Sequence, residues 1–338
     1  MSPRASVALS GKDRRVIDWL LEEDQPSIRY RTLTEFLEKP AGDLEVKAAR
    51  KDLTRLGWAK EILDRRAPSG FWVSEESLYR PKYIATNWML LILSDLGLTR
   101  EDAGLGIVCE SWMKRFGAKD GGFDSSVKGS PKYGHLCITG NTARALVKFG
   151  YADHPRVTKA FEWFVKCQAE LGGWSCWNYG NGPRGRNLDS WEPLSAFAVY
   201  PRQKWTKGMK LAVEKGAEFF LQRELHKQGD RYEPWYRFHY PVHYYYDLLV
   251  GLDFMTALGY SGDRRLRYSI SLLKKKRRSD GRWNLDSVNP DPESPQGTWD
   301  RKQPKKAATP FALEQPGEPS KMITLTAMKV MARLVDAS

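Results

Sequence analysis

The chain carries a short glycine-aromatic segment that returns at a nearly constant interval. The four copies are Gly70-Phe71-Trp72, Gly121-Gly122-Phe123, Gly172-Gly173-Trp174 and Gly281-Arg282-Trp283. Their first glycines are separated by 51, 51 and 109 residues, and the last interval is close to twice the others. A degenerate copy, Gln228-Gly229-Asp230, stands near the position expected for the missing segment. Such a period is typical of repeat folds, in which each unit buries its apolar face against the next.

Each of these segments separates two stretches with helical periodicity, so the predicted unit is an outer helix, a turn and an inner helix. The predicted outer helices have charged and apolar faces: Glu45 to Arg66, Arg100 to Phe116, His154 to Glu170, Met209 to Leu225 and Asp263 to Arg278. The predicted inner helices are more apolar: Ala85 to Leu96, Thr139 to Phe149, Ser190 to Val199, Val242 to Leu258 and Ile323 to Val335. Strand-like alternation is not sustained, so we predict an all-α chain.

Apolar inner helices favour closure of the hairpins into a ring, because an open solenoid needs polar caps at both ends. We therefore predict one domain over residues 1–338, an α/α toroid with inner and outer rings and about five to six helical hairpins. The segments Lys12 to Glu22 and Ile28 to Leu37 are predicted to complete the ring with the C-terminal helix. Seven prolines interrupt the pattern in residues 284–321, which we interpret as a lid or a long loop.

Composition narrows the cellular setting. With 41% hydrophobic and 28% charged residues, the chain is typical of a folded globular protein. Its longest aliphatic or aromatic run, Trp88 to Leu93, is too short to span a bilayer, and no signal peptide is evident, so a cytoplasmic location is expected. The formal charge is +13, but no nucleic-acid-binding motif accompanies it. Basic residues at Lys274 to Arg278, with Arg301, Lys302, Lys305 and Lys306, predict peripheral contact with anionic membrane surfaces.

One turn and the helix before it resemble the QW repeat of the squalene-hopene and oxidosqualene cyclases. The matching residues are Lys159, Ala160, Trp163, Gln168, Gly172 and Trp174, and a second, partial copy contains Lys215, Gly216, Phe219 and Phe220. The resemblance extends to the wider α/α-toroid superfamily, which includes protein prenyltransferase β subunits. Segments at residues 26–31, 239–241 with 245–247, and 317–320 also resemble small bacterial prenyltransferase or squalene-oxidase repeat proteins.

The resemblance implies the toroid fold and an isoprenoid substrate, but it does not supply the chemistry. The Asp-x-Asp-Asp acid motif of the terpenoid cyclases is absent, as is the prenyltransferase zinc pattern of an Asp two residues before a Cys. In a QW unit the glutamine can hydrogen-bond to exposed backbone at a helix end while the tryptophan covers it. Gln168, Trp174 and Trp283 are therefore predicted to be structural.

Polar and aromatic residues are densest between Trp235 and Asp247. If a helix begins near Val242, His243 and Asp247 lie four residues apart on one face, where a carboxylate can orient an imidazole. Apolar neighbours disfavour ionisation of Asp247, so we predict Asp247 as a proton donor and His243 as its partner. The alternative is that Asp247 pairs with an arginine or caps a helix, and that the tyrosines belong to the core.

Other inner-helix starts supply further candidates. Asp189 and Glu192 flank Trp191 and are predicted catalytic acids, although the same spacing also fits a capping box. Cys137 and His135 could hold a metal only with ligands from other repeats, so neither a metal nor a cofactor is predicted. The predicted substrate-binding residues are Trp88, Trp191, His239, Tyr244, Tyr246, Cys137 and Asn141.

Together these features predict a terpene-cyclase-like enzyme that cyclises or isomerises a hydrophobic isoprenoid by acid initiation, with aromatic faces stabilising the carbocations. Two alternatives stay open. One is a helical barrel like a polysaccharide lyase or glycosidase, with Tyr, His and Arg beside the scissile bond in an open, polar cleft. The other is a non-catalytic toroid scaffold for lipid, protein or nucleic acid, in which the ring is filled by its own Trp and Phe side chains.

Overall fold

A computed structural model describes residues 11–125, 133–175, 187–227, 230–288 and 312–335, with backbone only for residues 187–190. Within these ranges the chain is helical, and its β-structure is limited to three isolated bridges. The helices are α1 (Gly11–Leu20), α2 (Pro26–Arg31) with a π-helical turn (Thr32–Phe36), α3 (Leu44–Asp52), α4 (Gly57–Asp64), α5 (Thr86–Asp95), α6 (Leu105–Phe116), α7 (Leu136–Lys148), α8 (Pro155–Cys167), α9 (Asn187–Val199), α10 (Lys207–Gln222), α11 (Leu248–Ala257), α12 (Arg267–Lys275) and α13 (Lys321–Val335). The predicted all-α class is confirmed.

Burial separates the inner from the outer helices as the sequence predicts. All ten residues of α5 are buried, as expected for a helix enclosed on every side. Outer helix α8 instead buries one face, which includes Val157, Phe161 and Phe164. Among the described segments, inner helices contact one another in the order α5, α7, α9, α11 and α13, and α13 also contacts α2 and the π-helical turn. This order is consistent with a helical toroid.

Two predicted helix boundaries are wrong. The predicted helix Glu45 to Arg66 is divided into α3 and α4, because Gly57 has a left-handed φ of +66° that a continuous helix does not allow. The close approach of Gln25 also requires a glycine there, since a Cβ would lie 2.6 Å from the Gln25 Oε1 atom. The helix predicted to begin near Val242 begins at Leu248 instead. Pro241 and the residues after it are not helical, since proline lacks an N–H donor and restricts the residue before it.

The repeated glycine-aromatic segments form one recurrent turn. Their first glycines, at positions 70, 121, 172 and 281, all have left-handed φ values between +86° and +113°. In the first turn the Ala67 N–H donates to the Phe71 carbonyl at 2.8 Å, and the Gly70 N–H donates to the Ala67 carbonyl at 2.8 Å. The same two hydrogen bonds recur at the other three turns. The sequence period therefore reflects a repeated backbone structure.

Side chains tie each turn to both of its helices. The indole Nε1 of Trp72, Trp174 and Trp283 donates to the carbonyl ten residues earlier in the outer helix, at 2.7, 2.9 and 2.8 Å. The backbone N–H of the aromatic residue in the turn donates to the hydroxyl of a threonine near the start of an inner helix. The accepting residues are Thr86, Thr139 and Thr324. The Gln168 Nε2 atom donates to the Gly172 and Ala212 carbonyls, both at 2.7 Å. The structural role predicted for Gln168, Trp174 and Trp283 is confirmed.

The described ends of the proline-rich segment are joined by hydrogen bonds. The Leu285 N–H donates to the Glu318 carbonyl at 3.0 Å, and the Gly317 N–H donates to the Leu285 carbonyl at 2.7 Å. Residues 289–311, on which the lid interpretation depends, lie outside the described residues, as do Arg301, Lys302, Lys305 and Lys306 of the predicted basic patch. In the part of the chain that is described, every helix is too short or too polar to cross a bilayer.

Candidate functional site

A cavity of about 330 Å³ lies between the inner helices. Its wall is formed by α2 with the π-helical turn, α5, α7, α9, α11, α13 and the irregular segment that precedes α11. Five cations line it, namely Arg31, Arg144, Lys148, Lys329 and Arg333. Four carboxylates line it as well, namely Glu35, Asp95, Asp247 and Asp253. The wall thus combines nine charged side chains with apolar ones such as Val199, Leu249 and Ile323, whereas the predicted chamber was apolar and aromatic.

Two ion pairs join charges that lie on different inner helices. The Lys148 Nζ atom lies 2.7 Å from the Asp95 carboxylate, and Arg333 Nη1 lies 2.8 Å from that of Asp253. Burial alone would raise the pKa of the Asp95 carboxyl, but the charges of Lys148 and Arg144 outweigh burial and lower that pKa. At pH 7 this carboxylate is ionised and neutralises the Lys148 ammonium.

A second group of ion pairs lies on the solvent side of the cavity. Arg31 donates to both carboxylate oxygens of Glu35, at 2.8 and 3.1 Å, and Lys329 donates to the same group. The Glu35 and Asp253 side chains are 35% and 39% exposed, whereas those of His239 and Asp247 are 0% and 1% exposed. The cavity thus leads from a charged, exposed rim to a buried histidine and aspartate.

His239 and Asp247 form a hydrogen-bonded dyad in the cavity wall. The Asp247 Oδ2 atom accepts from His239 Nδ1 at 2.6 Å and from the His239 backbone N–H at 2.9 Å. Its Oδ1 atom accepts from the Val250 N–H at 2.9 Å, which makes Asp247 the N-cap of α11. Because a carboxylate oxygen accepts, His239 Nδ1 carries its hydrogen, and in the neutral ring the Nε2 atom is left with its lone pair.

The predicted pairing of His243 with Asp247 is wrong, and the histidine four residues earlier, His239, takes that place. The i,i+4 argument required a helix from Val242, but α11 begins only after Asp247. In the irregular chain before it, residues four apart do not share a face. The alternative prediction, in which Asp247 caps a helix, is confirmed.

His243 belongs instead to a packed aromatic cluster. Its ring lies 5.4 Å from that of Tyr83 and 5.0 Å from that of Trp88, and neither ring nitrogen has a hydrogen-bond partner. Burial lowers the pKa of His243 to about 3. The Trp88 ring also packs against Tyr79 and Tyr244 at 5.0 and 5.2 Å. Trp88 and Tyr244, two of the side chains predicted to bind the substrate, therefore pack on each other.

Three buried polar groups of the cavity wall have no hydrogen-bond partner. These are His239 Nε2, the Tyr240 hydroxyl and Arg144 Nε. Burial raises the pKa of the Tyr240 phenol well above its ordinary value, so its hydroxyl keeps its proton at pH 7. Buried polar groups are nearly always hydrogen-bonded in folded proteins. Other buried groups, such as the two His243 ring nitrogens, also have no partner, so these three groups support a polar ligand only through their place around the cavity.

The other predicted binding residues lie behind the cavity wall or apart from it. Trp191 is fully buried, and its ring lies 5.5 Å from the Arg144 guanidinium carbon. Asn141 Nδ2 donates to the His243 carbonyl at 2.8 Å, so it holds the segment before α11. The Tyr246 hydroxyl donates to the Leu225 carbonyl at 3.0 Å, and Cys137 is a partly buried thiol. The contacts of Trp191, Asn141 and Tyr246 are therefore those of residues that pack the interior or position neighbouring segments.

The helix bounds do not fit the predicted capping box at the two acids of α9. This helix begins at Asn187, so Asp189 is inside it, and the Asp189 side chain lies outside the described residues. Glu192 is buried beside Gly140 of α7, where a Cβ would lie 2.4 Å from the Glu192 Cβ atom. Within the described ranges there is no group of three or more His, Cys, Asp or Glu side chains that could hold a metal.

Sequence reasoning missed most of the ionic wall. Arg144, Asp253 and Arg333 lie inside helices predicted to be inner and apolar, and a charge in such a helix is the signal that could have identified them. Tyr240 was part of the dense aromatic segment but was not selected. Arg31 and Glu35 belong to the N-terminal segment, which was considered only as a part of the ring.

Comparisons with known proteins add little to this geometry. No protein-family model matches the chain, and no curated protein matches it. The predicted resemblance to terpenoid cyclases therefore has no support from a family match. Among solved structures, the chain is similar to a protein from Actinoplanes, with 17% identity and a TM-score of 0.47 over 95% of this chain and 98% of that chain. This similarity does not identify a function.

Proposed function

We propose that the protein is an enzyme that transfers protons to and from a small polar molecule bound in the ionic cavity. The observation that carries this proposal is the His239–Asp247 dyad: His239 lines the cavity, its Nδ1 atom is held by the carboxylate, and its buried Nε2 atom has no partner. A histidine oriented in this way can act as a general base through Nε2.

The proposed reaction uses neighbouring residues in complementary roles. His239 Nε2 accepts a proton from a C–H or O–H group of the substrate, and the Asp247 carboxylate stabilises the resulting imidazolium. The Tyr240 phenol, which keeps its hydrogen, donates a hydrogen bond to the oxygen on which negative charge develops. This combination of base and donor suits an elimination or isomerisation next to a carbonyl or carboxylate.

The lining of this cavity fits a reaction like that of a polysaccharide lyase better than it fits the cyclisation of an isoprenoid. A reaction like that of a polysaccharide lyase would use the same types of side chain, since His239, Tyr240 and Arg144 all line the cavity. Acid-initiated cyclisation of an isoprenoid stays a prediction. The ionic lining of the cavity favours a polar substrate over a hydrocarbon, because burying charges against apolar groups is unfavourable.

Solvent-exchange mass spectrometry tests the proposal without knowledge of the natural substrate. The protein is incubated in D₂O with small hydroxy acids, keto acids and sugar acids, and the incorporation of deuterium at carbon is measured. Linear prenyl alcohols, prenyl diphosphates and squalene form a second series. We expect exchange or a new product in the first series, because a general base that removes a C–H proton returns deuterium from the solvent.

The variants separate catalysis from stability. His239→Gln should slow exchange at least 100-fold, in line with the typical contribution of a general base of about 10²- to 10⁴-fold. The matched control is His226→Gln, since the His226 ring stacks on Tyr268 and does not line the cavity. The absence of exchange with the polar series, or full activity of the His239 variant, would refute the proposal; turnover of prenyl compounds alone would favour the isoprenoid prediction.

A further inference from the structure

Arg144 differs from the other cations of the cavity wall. It lies in the third turn of α7, is 8% exposed, and its guanidinium carbon is 5.5 Å from the Trp191 ring. Stacking on an indole restrains the plane of a guanidinium and favours its positive charge. The result is a buried, oriented cation in the wall of the cavity.

Every other cation that lines the cavity pairs with a carboxylate. Arg31 and Lys329 share Glu35, Lys148 pairs with Asp95, and Arg333 pairs with Asp253. Among the described residues no carboxylate lies within ion-pairing distance of Arg144. A buried charge without a counterion is strongly unfavourable, and the Asp95 carboxylate, which interacts electrostatically with Arg144, is already bound to Lys148.

The hydrogen bonds that Arg144 makes leave most of its donors unused. Only Nη2 donates, to the Asn141 Oδ1 atom at 3.3 Å and the Val242 carbonyl at 3.4 Å, and both distances are long. The Nε atom is buried without a partner. A guanidinium has five N–H donors in a planar fork, and that fork fits two oxygens of one oxyanion.

The charges of the whole wall point to the same ligand. Its five cations face four carboxylates, which leaves one positive charge when His239 is neutral. A single carboxylate or phosphate monoanion would balance this charge and give Arg144 the counterion that the protein does not supply. The unsatisfied Arg144 guanidinium and the excess charge to which it contributes therefore both indicate an anionic group on the ligand.

We infer that Arg144 is the residue that recognises an oxyanion, either a carboxylate or a phosphate group, on the molecule bound in this cavity. The inference rests on the proposed function only for the location of the site, since binding through Arg144 requires no catalysis. Arg144 is a binding residue in this scheme, and the proton transfer belongs to His239.

Binding measurements with matched anionic and neutral probes test the inference. The probes are lactate against lactamide, and glycerol 3-phosphate against glycerol, with inorganic phosphate as a further anion. Calorimetry and thermal-shift measurements are made at low ionic strength, where screening is weak. We expect the wild-type protein to bind at least one of the anions at least tenfold more tightly than its neutral counterpart, and the carboxylate and phosphate pairs show which oxyanion is preferred.

Three variants identify the residue responsible. Arg144→Gln should weaken anion binding at least tenfold, and Arg144→Lys, which keeps the charge but loses the fork, should weaken it less. The matched control is Arg223→Gln: the Arg223 guanidinium also lies over an aromatic ring, that of Phe219 at 3.7 Å, but it is outside the cavity wall. Circular dichroism of each variant establishes that it is folded.

The outcomes are separable from those of the proposed function. Equal binding of anionic and neutral probes to the wild-type protein, or unchanged anion binding by a folded Arg144→Gln variant, would overturn the inference. If His239-dependent exchange is observed without Arg144-dependent binding, only the inference fails. If binding depends on Arg144 and no exchange occurs with any substrate, only the proposed function fails.

Discussion

Replacing Asp247 by alanine removes three hydrogen bonds of different kinds, and the structure allows their sum to be estimated. Loss of the N-cap of α11 costs about 1 kcal/mol. The His239 N–H and Nδ1–H groups are buried, and each loses its acceptor, which costs about 1 to 3 kcal/mol per group. We therefore expect Asp247→Ala to lower the free energy of unfolding by about 3 to 7 kcal/mol.

The matched control is Thr206→Ala. Thr206 caps α10 by accepting from the Met209 N–H at 3.2 Å, but it has no buried histidine attached. Its loss should cost only about 1 kcal/mol. Asp247→Asn should lie between the two, since it keeps one oxygen for the cap but presents an amide to His239.

Urea unfolding followed by circular dichroism and tryptophan fluorescence measures all three variants. The slopes of the transitions should agree, so that differences in midpoint report stability. A cost for Asp247→Ala within about 0.5 kcal/mol of that for Thr206→Ala would refute the account, because the two buried His239 donors would then contribute nothing.

Three further predictions concern pH, the threonine contacts and the glycine turns. The pKa of His243 is lowered to about 3 in the folded protein, so as the pH falls the histidine is protonated in the unfolded state before it is protonated in the folded state. Between pH 6.5 and 4.5 wild-type stability should therefore fall by up to about 1.4 kcal/mol per pH unit more than that of His243→Phe in urea titrations. Thr324→Val, which removes two hydrogen bonds to a turn, should cost about 1 to 3 kcal/mol in urea unfolding, and Thr326→Val, whose hydroxyl bonds only within its own helix, should cost less than about 1 kcal/mol. Gly172→Ala should lower the thermal midpoint more than Gly150→Ala: both have a φ of +92°, but a Cβ at Gly172 would lie 2.3 Å from a backbone oxygen, whereas Gly150 has open space.

The repeat was readable from the sequence because its determinants are local. A glycine in the left-handed region, the aromatic residue two positions later and the outer helix before them lie within about one helical hairpin. Trp72 and Trp283, more than 200 residues apart, therefore make the same contact to the carbonyl ten residues earlier. Local rules of this kind also set most helix boundaries to within a few residues.

The dyad could be predicted only in part. The dense segment before Asp247 was recognised, but the choice between His239 and His243 depended on where α11 begins. That boundary follows from Pro241 and from the capping role of Asp247 itself, which holds the chain extended up to the helix. Reading Asp247 as a cap would have removed the helical argument for His243.

The ionic wall could not be derived from sequence patterns. Its pairs join residues that are far apart in the chain: Asp95 and Lys148 are separated by 53 positions, and Glu35 and Lys329 by 294. Such contacts arise only when the inner helices meet. Amphipathic periodicity identifies which residues face inward, but it does not identify which of them face each other.

Stability alone does not account for an ionic wall inside a helical protein. Pairs of buried charges are often no more stabilising than apolar side chains of the same size, because desolvation offsets their attraction. An unpaired cation such as Arg144 is less favourable still, and the unsatisfied His239 Nε2 atom and Tyr240 hydroxyl each add a desolvation penalty. A bound anion would accept hydrogen bonds from Arg144 and from the Tyr240 hydroxyl, and a hydroxyl group on the same molecule would donate to His239 Nε2. For this reason a ligand explains the wall better than the requirements of folding do.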